Sequence, residues 1–380
     1  MKLFQIIIKS KVKIMNIKSL FITASALLIL ASNIFSQTVT TPRPISPAAE
    51  LKQTIGLSQV TVKYSRPRLT LNGVDRTDKI WGTQVPFGLT NLGFGTATKA
   101  PWRAGANENT VITFSDDVKI EGKTLPAGKY GFHIIVYEGN KATLIFSKNH
   151  TSWGSFYYDE SEDALRVDIT TREIPKTEVL TYEFTEMGAN FAVLALSWEK
   201  KQFPFKLEFD VQKIVLQNFR NELRSTASFT WQGFNDAAAY CLQNQINYEE
   251  AIKWSDSSIR LSRNFNNLTT KAQLLIAMGQ KNEGEKIFDD AVAVATQNEI
   301  NNLGYQLLGQ KNFPLAIKYL TINTQKYPTD ANSFDSLGEA YKLAGDKENA
   351  IKNLKKSLTL NPPPAVKANS EKLLKELGAL

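Results

Sequence analysis

The C-terminal part of the chain repeats itself with a period of 34 residues, the spacing from Gly304 to Gly338 and from Ala316 to Ala350. The same spacing relates further residues: Leu303 and Leu337, Leu307 and Tyr341, Leu320 and Leu354, and Pro328 and Pro362. A fixed period of this length indicates helical hairpins that bury their apolar faces only by stacking on their neighbours. This half of the chain is therefore predicted to be a helical solenoid.

The recurring residues resemble those of the tetratricopeptide repeat. Gly338 and Ala350 match the small residues at which its two helices approach closely, and Tyr341 and Leu354 match its bulky residues. Two weaker copies precede: Ala239, Tyr248, Ala251 and Ser258 in one, and Ala272, Gly279, Gly284, Phe288 and Ala291 in the other. The resemblance implies four repeats over residues 232–380, closed by a capping helix near the C-terminus.

The register of these repeats predicts which side chains line the inner, concave groove. They are Asp236, Tyr240, Gln273, Asn301, Tyr305, Asp335, Glu339 and Lys342. Such a groove binds a peptide or a partner helix in extended contact, so a protein partner is expected. Since only Lys342 among them is positive, a basic clamp for a C-terminal carboxylate is not expected. The alternative is that the repeats only extend and support the preceding domain.

Residues 37–212 show the period-two pattern of β-strands instead. Val60–Tyr64 and Thr110–Phe114 alternate, with glycine-containing turns between the strands. The predicted fold class is therefore multi-domain all-β plus all-α: an antiparallel β-sandwich or open barrel, a connecting helix over residues 213–231, and the helical solenoid. Residues 82–102 are predicted to be a long loop, either functional or disordered.

Several motifs of the β region occur in a characteristic order: Pro44-Ile-Ser-Pro47, Thr54-Ile-Gly56, Tyr64-Ser-Arg-Pro67, Trp102-Arg-Ala-Gly-Ala-Asn107, Leu125-Pro-Ala-Gly128 with Tyr130, Trp153-Gly154 with Tyr157-Tyr158-Asp159, and Trp198-Glu199. Together they resemble a bacterial secreted family, the domain of unknown function 2911, over about residues 42–210. Tetratricopeptide repeats often follow this domain. Because the family has no established activity, the resemblance implies architecture and export but no catalytic residues.

The candidate ligand-binding residues of the β region are Arg66, Arg103, Asn107 and Trp153. Arginine binds carboxylate or phosphate bidentately, so these residues suggest an envelope glycan or small-anion site. The alternative is that both arginines pair with acids such as Asp159 or Glu199, and that the aromatic residues fill a core. A hydrolase using adjacent acids is a further alternative, with candidate pairs Asp116-Asp117, Asp159-Glu160 and Glu162-Asp163.

The first 36 residues have the pattern of a secretory signal peptide. They contain five lysines and no acid, an apolar run from Leu20 to Ala31, and a predicted cleavage site after Ser36. The run is shorter than the roughly 20 residues that span a bilayer. The only cysteine is Cys241, so a lipoprotein anchor at the cleavage site is not expected. The expected location is periplasmic or secreted, without stable membrane insertion, and translation begins at Met1 or at Met15.

Charge and composition narrow the remaining functions. The full chain carries 45 basic and 37 acidic residues, but five of the lysines belong to the predicted signal peptide. The remainder is close to neutral, which argues against nucleic-acid binding. One cysteine and two histidines are too few for a disulfide framework or a Cys/His metal cluster. No cofactor is expected, and binding is favoured over catalysis.

Overall fold

The computed structural model describes residues 45–380, which divide into two compact units. The first contains residues 45–55 and 59–209, and the second contains residues 56–58 and 210–380. The predicted signal peptide and its cleavage site at Ser36 lie outside the described residues. Within the described part of the chain, no helix is both long and apolar enough to cross a membrane.

The first unit is built from antiparallel strands. They are β1 (Ala48–Ile55), β2 (Ser58–Ser65), β3 (Thr70–Leu71), β4 (Val74–Asp75), β5 (Thr110–Phe114), β6 (Val118–Ile120), β7 (Lys123–Leu125), β8 (Gly128–Val136), β9 (Lys141–Ser147), β10 (Asp163–Thr170), β11 (Arg172–Met187) and β12 (Phe191–Glu208). A six-stranded sheet has the order β1-β2-β5-β8-β9-β10, and a four-stranded sheet has the order β11-β12-β6-β7. Strands β3 and β4 form a separate ribbon.

Aromatic side chains between the two larger sheets form the core of this domain. The ring of Phe205 on β12 lies 5.6 Å from that of Phe132 on β8, and Tyr182 on β11 lies 4.6 Å from Tyr64 on β2. These side chains come from alternating positions, as expected for strands that turn one face inward. The predicted sandwich-like antiparallel fold is confirmed, and the domain is not closed into a barrel.

Strands β8 and β9 are covered on both faces, because residues 82–102 lie across the outer face of the six-stranded sheet. The end of this segment joins the sheet itself, because Trp102 exchanges in-plane backbone hydrogen bonds of 3.0 and 2.8 Å with Ile134 at the edge of β8. Ala100 packs with Ile135 and Ile145 in a second apolar cluster. The two strands are therefore almost continuously buried, which explains their long apolar runs.

The second unit contains ten α-helices within the described residues. They are α1 (Val211–Glu222), α2 (Trp231–Asn244), α3 (Tyr248–Leu261), α4 (Phe265–Ala277), α5 (Lys281–Val294), α6 (Gln297–Gly309), α7 (Phe313–Lys326), α8 (Ala331–Leu343), α9 (Lys347–Thr359) and α10 (Pro364–Glu376). Helices α2 to α9 form four successive pairs, and α10 follows the last. The predicted all-α solenoid is confirmed.

Glycine allows the two helices of a pair to approach closely. A Cβ atom on Gly304 would lie 2.6 Å from Leu320 Cγ, and one on Gly338 would lie 2.6 Å from Leu354 Cγ. Both distances are far below van der Waals contact, so a side chain at either position would push the pair apart. This is the physical reason for the recurring glycine.

Each end of the stack is covered by one additional helix, α1 at the first pair and α10 at the last. Phe219 on α1 packs edge-to-face against Tyr240, with ring centroids 5.3 Å apart, and against Trp254 at 6.1 Å. At the other end, Leu373 and Leu374 on α10 bury Leu354. These helices close the apolar surface that terminal repeats would otherwise expose.

Candidate functional site

Two of the predicted ligand residues line one pocket of the β-domain. This pocket, which we call the Arg103 pocket, has a volume of about 270 Å³. Its wall includes Arg103, Asn107 and Trp102, together with Pro86 and Thr90 from the segment that covers the outer sheet face. The segment predicted as a long loop therefore forms one side of a candidate site.

The Arg103 guanidinium is partly buried and is fixed by three contacts. Its Nη1 donates a 2.7 Å hydrogen bond to the backbone oxygen of Asn107. Its Cζ lies 4.7 Å from the centroid of the Phe156 ring, and its atoms press so closely on Gly154 that a Cβ there would come within 2.4 Å of Nη1. Burial lowers the pKa of Arg103. Glycine at position 154 is thus needed to admit the guanidinium.

A buried serine–histidine pair lies beside this arginine. Ser155 Oγ and His133 Nδ1 are 2.9 Å apart, and both residues are almost fully buried. Burial and the positive charge of Arg103 lower the pKa of His133 to about 3. The imidazole is therefore neutral at physiological pH, and Arg103 carries the positive charge of this group of residues.

The other two predicted ligand residues lie elsewhere. Arg66 is not on the wall of the pocket, since its Nε donates to Leu180 O at 3.0 Å and its Nη2 donates to Thr181 Oγ1 at 2.7 Å. Trp153 is 47% exposed and is likewise not part of that wall. The structure therefore brings Arg103 and Asn107 together but does not bring Arg66 or Trp153 to the same pocket.

Neither arginine pairs with the acids considered as alternatives. Glu199 is buried and accepts from Trp81 Nε1 at 3.1 Å. Asp159 accepts from the backbone of Ser161 and begins a short 3-10 helix, Glu160–Glu162. Trp81, Trp102 and Trp198 pack within 5.7 to 6.2 Å of one another, so these three indoles form part of a core rather than an open platform.

The candidate hydrolase acids have local structural partners. Asp117 Oδ1 accepts from the backbone nitrogen of Ala127 at 2.9 Å. Asp163 binds Arg166 Nε at 2.6 Å and the Tyr158 hydroxyl at 2.7 Å, and burial raises its pKa. These contacts hold turns and strand ends in place. No pair of catalytic carboxylates is assembled by them.

A wider groove of about 830 Å³ lies elsewhere on the β-domain and contains none of the predicted site residues. Its charged lining alternates in sign and consists of Glu121, Lys141, Asp168, Arg172, Glu186 and Lys206. Within residues 45–380, no cluster of three or more His, Cys, Asp or Glu side chains is arranged to hold a metal ion.

On the repeats, predicted groove residues form a ladder between the first helices of successive pairs. Tyr305 on α6 donates a 2.9 Å hydrogen bond to Glu339 on α8, and Lys342 on α8 forms a 2.5 Å ion pair with Glu376 on α10. Tyr305 is 39% exposed. These contacts place Tyr305, Glu339 and Lys342 on one face of the helices.

The other predicted groove residues differ in exposure. Asp335 is buried, and its two oxygens accept from Asn369 at 2.9 Å and from Ser370 at 2.5 Å. Asp335 therefore ties α8 to α10 and is closed to a ligand. Asp236 is exposed, Tyr240 packs against α1, and Gln273 and Asn301 are partly buried.

Sequence reasoning missed three asparagines on the same helical face. Asn298 precedes Asn301 by three residues and Tyr305 by seven, the spacing of one face of a helix. Asn266 and Asn332 occupy the equivalent positions of α4 and α8. Among described residues, none of the three side-chain amides has a hydrogen-bond partner. The available signal was asparagine recurring at the second residue of three of the four first helices.

These features define a β-sandwich domain with an anion-compatible pocket and a tetratricopeptide-like array with a polar face. Residues 46–207 match the family model described as a protein of unknown function, DUF2911, and residues 331–364 match that of the tetratricopeptide repeat. The chain thus combines a domain of this uncharacterised family with tetratricopeptide repeats, as the sequence predicts. No curated protein matches the chain.

Solved structures similar to this chain include tetratricopeptide proteins. One is the C-terminal part of a repeat protein from Cytophaga hutchinsonii, with 21% identity, 41% of this chain covered and a TM-score of 0.29. The match spans 62% of that protein, less than two thirds of its length. Another is YrrB, with 17% identity, 42% of this chain and 83% of that chain covered, and a TM-score of 0.27. PilF of Pseudomonas aeruginosa has 20% identity, with 40% of this chain and 71% of that chain covered and a TM-score of 0.27.

Proposed function

We propose that this protein is exported and that its repeats bind an extended segment of a protein partner, by recognition rather than by catalysis. The carrying observation is the row of amides of Asn266, Asn298 and Asn332, which have no hydrogen-bond partner within residues 45–380 and lie on the first helices of three successive repeats. A carboxamide donates and accepts a hydrogen bond at once, so it matches the peptide group of a partner's backbone.

The spacing of the repeats supports an extended partner. Packed helices lie about 8–10 Å apart, and an extended chain advances about 3.3 Å per residue. Each repeat therefore spans about three residues of a bound segment. Neighbouring Tyr305 and Glu339 add an aromatic surface and a negative charge beside the amide row. The expected ligand is a segment of about nine residues, bound mainly through its backbone.

The test begins with peptides selected from a random library against the full chain. A selected peptide should lose affinity at least tenfold when Asn298 and Asn332 are both replaced by alanine, in line with two lost hydrogen bonds of about 1 kcal/mol each. Tyr305→Ala and Glu339→Lys should also weaken it. Lys352→Glu, on the exposed side of α9, is the matched control and should bind normally.

Changes in the peptide test whether its backbone is the part that the repeats bind. N-methylation of single peptide groups should abolish binding at about every third residue, whereas alanine replacement of most peptide side chains should have little effect. Equal binding by the doubly substituted protein and the original chain would contradict the proposal.

The export part of the proposal rests on the basic and apolar pattern of residues 1–36. N-terminal sequencing of the protein recovered from a bacterial host should give Gln37 as its first residue. Recovery from the cytoplasm with residues 1–36 still attached would contradict export. Peptide binding is tested separately, so a result that contradicts export would not contradict peptide binding.

A further inference from the structure

The described wall of the Arg103 pocket carries positive charge and no negative charge. Of the described residues that line it, Arg103 is the only charged one. Among the described residues, no carboxylate forms an ion pair with its guanidinium. A partly buried cation without a counter-charge costs free energy, and proteins ordinarily compensate such a charge. The described part of the wall therefore carries a positive charge that has no ionic partner within residues 45–380.

The guanidinium also keeps hydrogen-bonding capacity. An arginine side chain has five N–H donors, and the one hydrogen bond that Arg103 makes to a described residue runs from Nη1 to Asn107 O. The Phe156 ring and Gly154 hold the guanidinium plane in position. Its neighbour His133 is neutral and adds no charge of either sign to the site. The remaining donors are thus pre-oriented for an oxyanion.

The other residues of the wall indicate which kind of molecule the oxyanion belongs to. Leu92, Ala100, Pro101 and Trp102 give the pocket an apolar side. Its volume of about 270 Å³ is just below the usual range for ligand pockets, about 300–1,000 Å³, so only a small ligand fits. Inorganic phosphate would leave this apolar surface unused. A compact organic acid would place its carboxylate on the guanidinium and its carbon skeleton against this apolar side.

We infer that the Arg103 pocket is a binding site for the carboxylate of a small organic acid with a compact apolar body. The site lies wholly within the β-domain and does not depend on peptide binding by the repeats. Carboxylate and guanidinium form two parallel hydrogen bonds, a geometry that lysine does not reproduce. Arginine is therefore required at this position for ligand binding.

Isothermal titration calorimetry of the full chain tests this with three probes of graded chemistry. Benzoate should bind, neutral benzamide of the same shape should bind at least about tenfold more weakly, and inorganic phosphate should bind more weakly than benzoate. Arg103→Gln and Arg103→Lys should each weaken benzoate binding about tenfold or more. Arg172→Gln, in the wider groove, is the matched control and should leave the affinity unchanged.

Because Arg103 also holds Asn107, a second variant keeps the test independent of folding. Ala106→Leu fills the pocket without removing the guanidinium, and it should abolish benzoate binding. Each variant is labelled with fluorotryptophan, and its fluorine NMR spectrum checks that it is folded. Failure of benzoate to bind the original chain, tighter binding of phosphate, or unchanged affinity in Ala106→Leu would each overturn the inference.

Discussion

The two regions of this molecule achieve stability in different ways. In the β-domain, residues far apart in sequence meet in one core, as Phe132 and Phe205 do. In the repeats, contacts join a helix to its immediate neighbours, as Tyr305 and Glu339 do one repeat apart. A shared core is expected to unfold as one cooperative unit, whereas a stack responds to damage locally. The loss of stability caused by one substitution should therefore extend over the whole β-domain but stay local in the repeats.

Phe205→Ala should have the largest effect, because it removes a fully buried ring that packs against both Phe132 and Phe146. The expected loss is about 3–5 kcal/mol of unfolding free energy. Fluorine NMR of the fluorotryptophan-labelled chain during urea denaturation measures it, since Trp81, Trp102, Trp153 and Trp198 report on the β-domain and Trp231 and Trp254 on the helices.

The unfolding transitions reported by all four β-domain resonances should move together to a lower urea concentration. The transitions reported by the two helical resonances should not change. Phe229→Ala, at an exposed position, is the control and should change neither group by more than about 0.5 kcal/mol. Separate transitions among the four β-domain resonances would show that the sandwich does not unfold as one cooperative unit.

His133 should make the β-domain sensitive to acid. Its folded pKa of about 3 lies below the unfolded value of about 6.5. Above about pH 6.5 both states are neutral, and as the pH falls toward 3 only the unfolded state gains the proton, so stability is lost at roughly 1.4 kcal/mol per pH unit. Between about pH 6.5 and 4.5 the original chain should lose about 2–3 kcal/mol more than His133→Gln.

The same fluorine measurement at a series of pH values checks this effect. His150→Gln removes the other histidine, from a partly exposed position, and should keep the acid sensitivity of the original chain. The acid-dependent shift is expected only in the β-domain resonances. An equally steep pH dependence in His133→Gln would contradict the assignment.

Gly338→Ala should damage the repeats locally. Its new Cβ would lie 2.6 Å from Leu354 Cγ, and such overpacking typically costs about 1–3 kcal/mol. Gly309→Ala is the matched control, because nothing lies within 4 Å of the atom added at this last residue of α6, and it should not destabilise the helix.

Hydrogen exchange measures the consequence residue by residue. Protection should fall in α8 and α9 for Gly338→Ala, with little change in α2 and α3 and none in the β-domain. A uniform loss along all four helix pairs would show that the stack is as cooperative as the sandwich.

Lys342→Ala should have the smallest effect. Its ion pair with Glu376 is partly exposed to solvent, and such pairs contribute about 0–1 kcal/mol. The expected result is a small decrease in the melting temperature of the helices at low salt and a smaller one at high salt. A large decrease at both salt concentrations would mean that the ladder between first helices, rather than the apolar core, holds the stack together.

Sequence reasoning succeeded where the signal is periodic. The recurrence of Gly304 at Gly338 predicted the helix pairs, and alternation predicted the strands. Burial of Asp335 could not be predicted in this way, since it depends on Asn369 and Ser370 in the last helix. Register alone places Asp335 on the exposed face, and only packing of α10 closes it.

The β-domain shows the complementary limit. Residues 82–102 have no period, so the sequence did not reveal that they cover β8 and β9 and line the Arg103 pocket. The arginine motif correctly drew attention to Arg103, but Arg66 looks equivalent in sequence and is occupied by β11. Backbone acceptors such as Leu180 O carry no residue-specific signal, which is why the two arginines could not be told apart.

The ladder between first helices restricts how the length of this chain can change during evolution. Its contacts join Tyr305 to Glu339 and Lys342 to Glu376, each pair separated by one full repeat. A duplication of one whole repeat would supply every first helix with an equivalent neighbour and would lengthen the amide row by one step. A single inserted residue would instead rotate the rest of a helix by about 100° and turn its polar face into the stack. The array is therefore free to grow or shrink in whole repeats, while single-residue insertions within its helices are selected against.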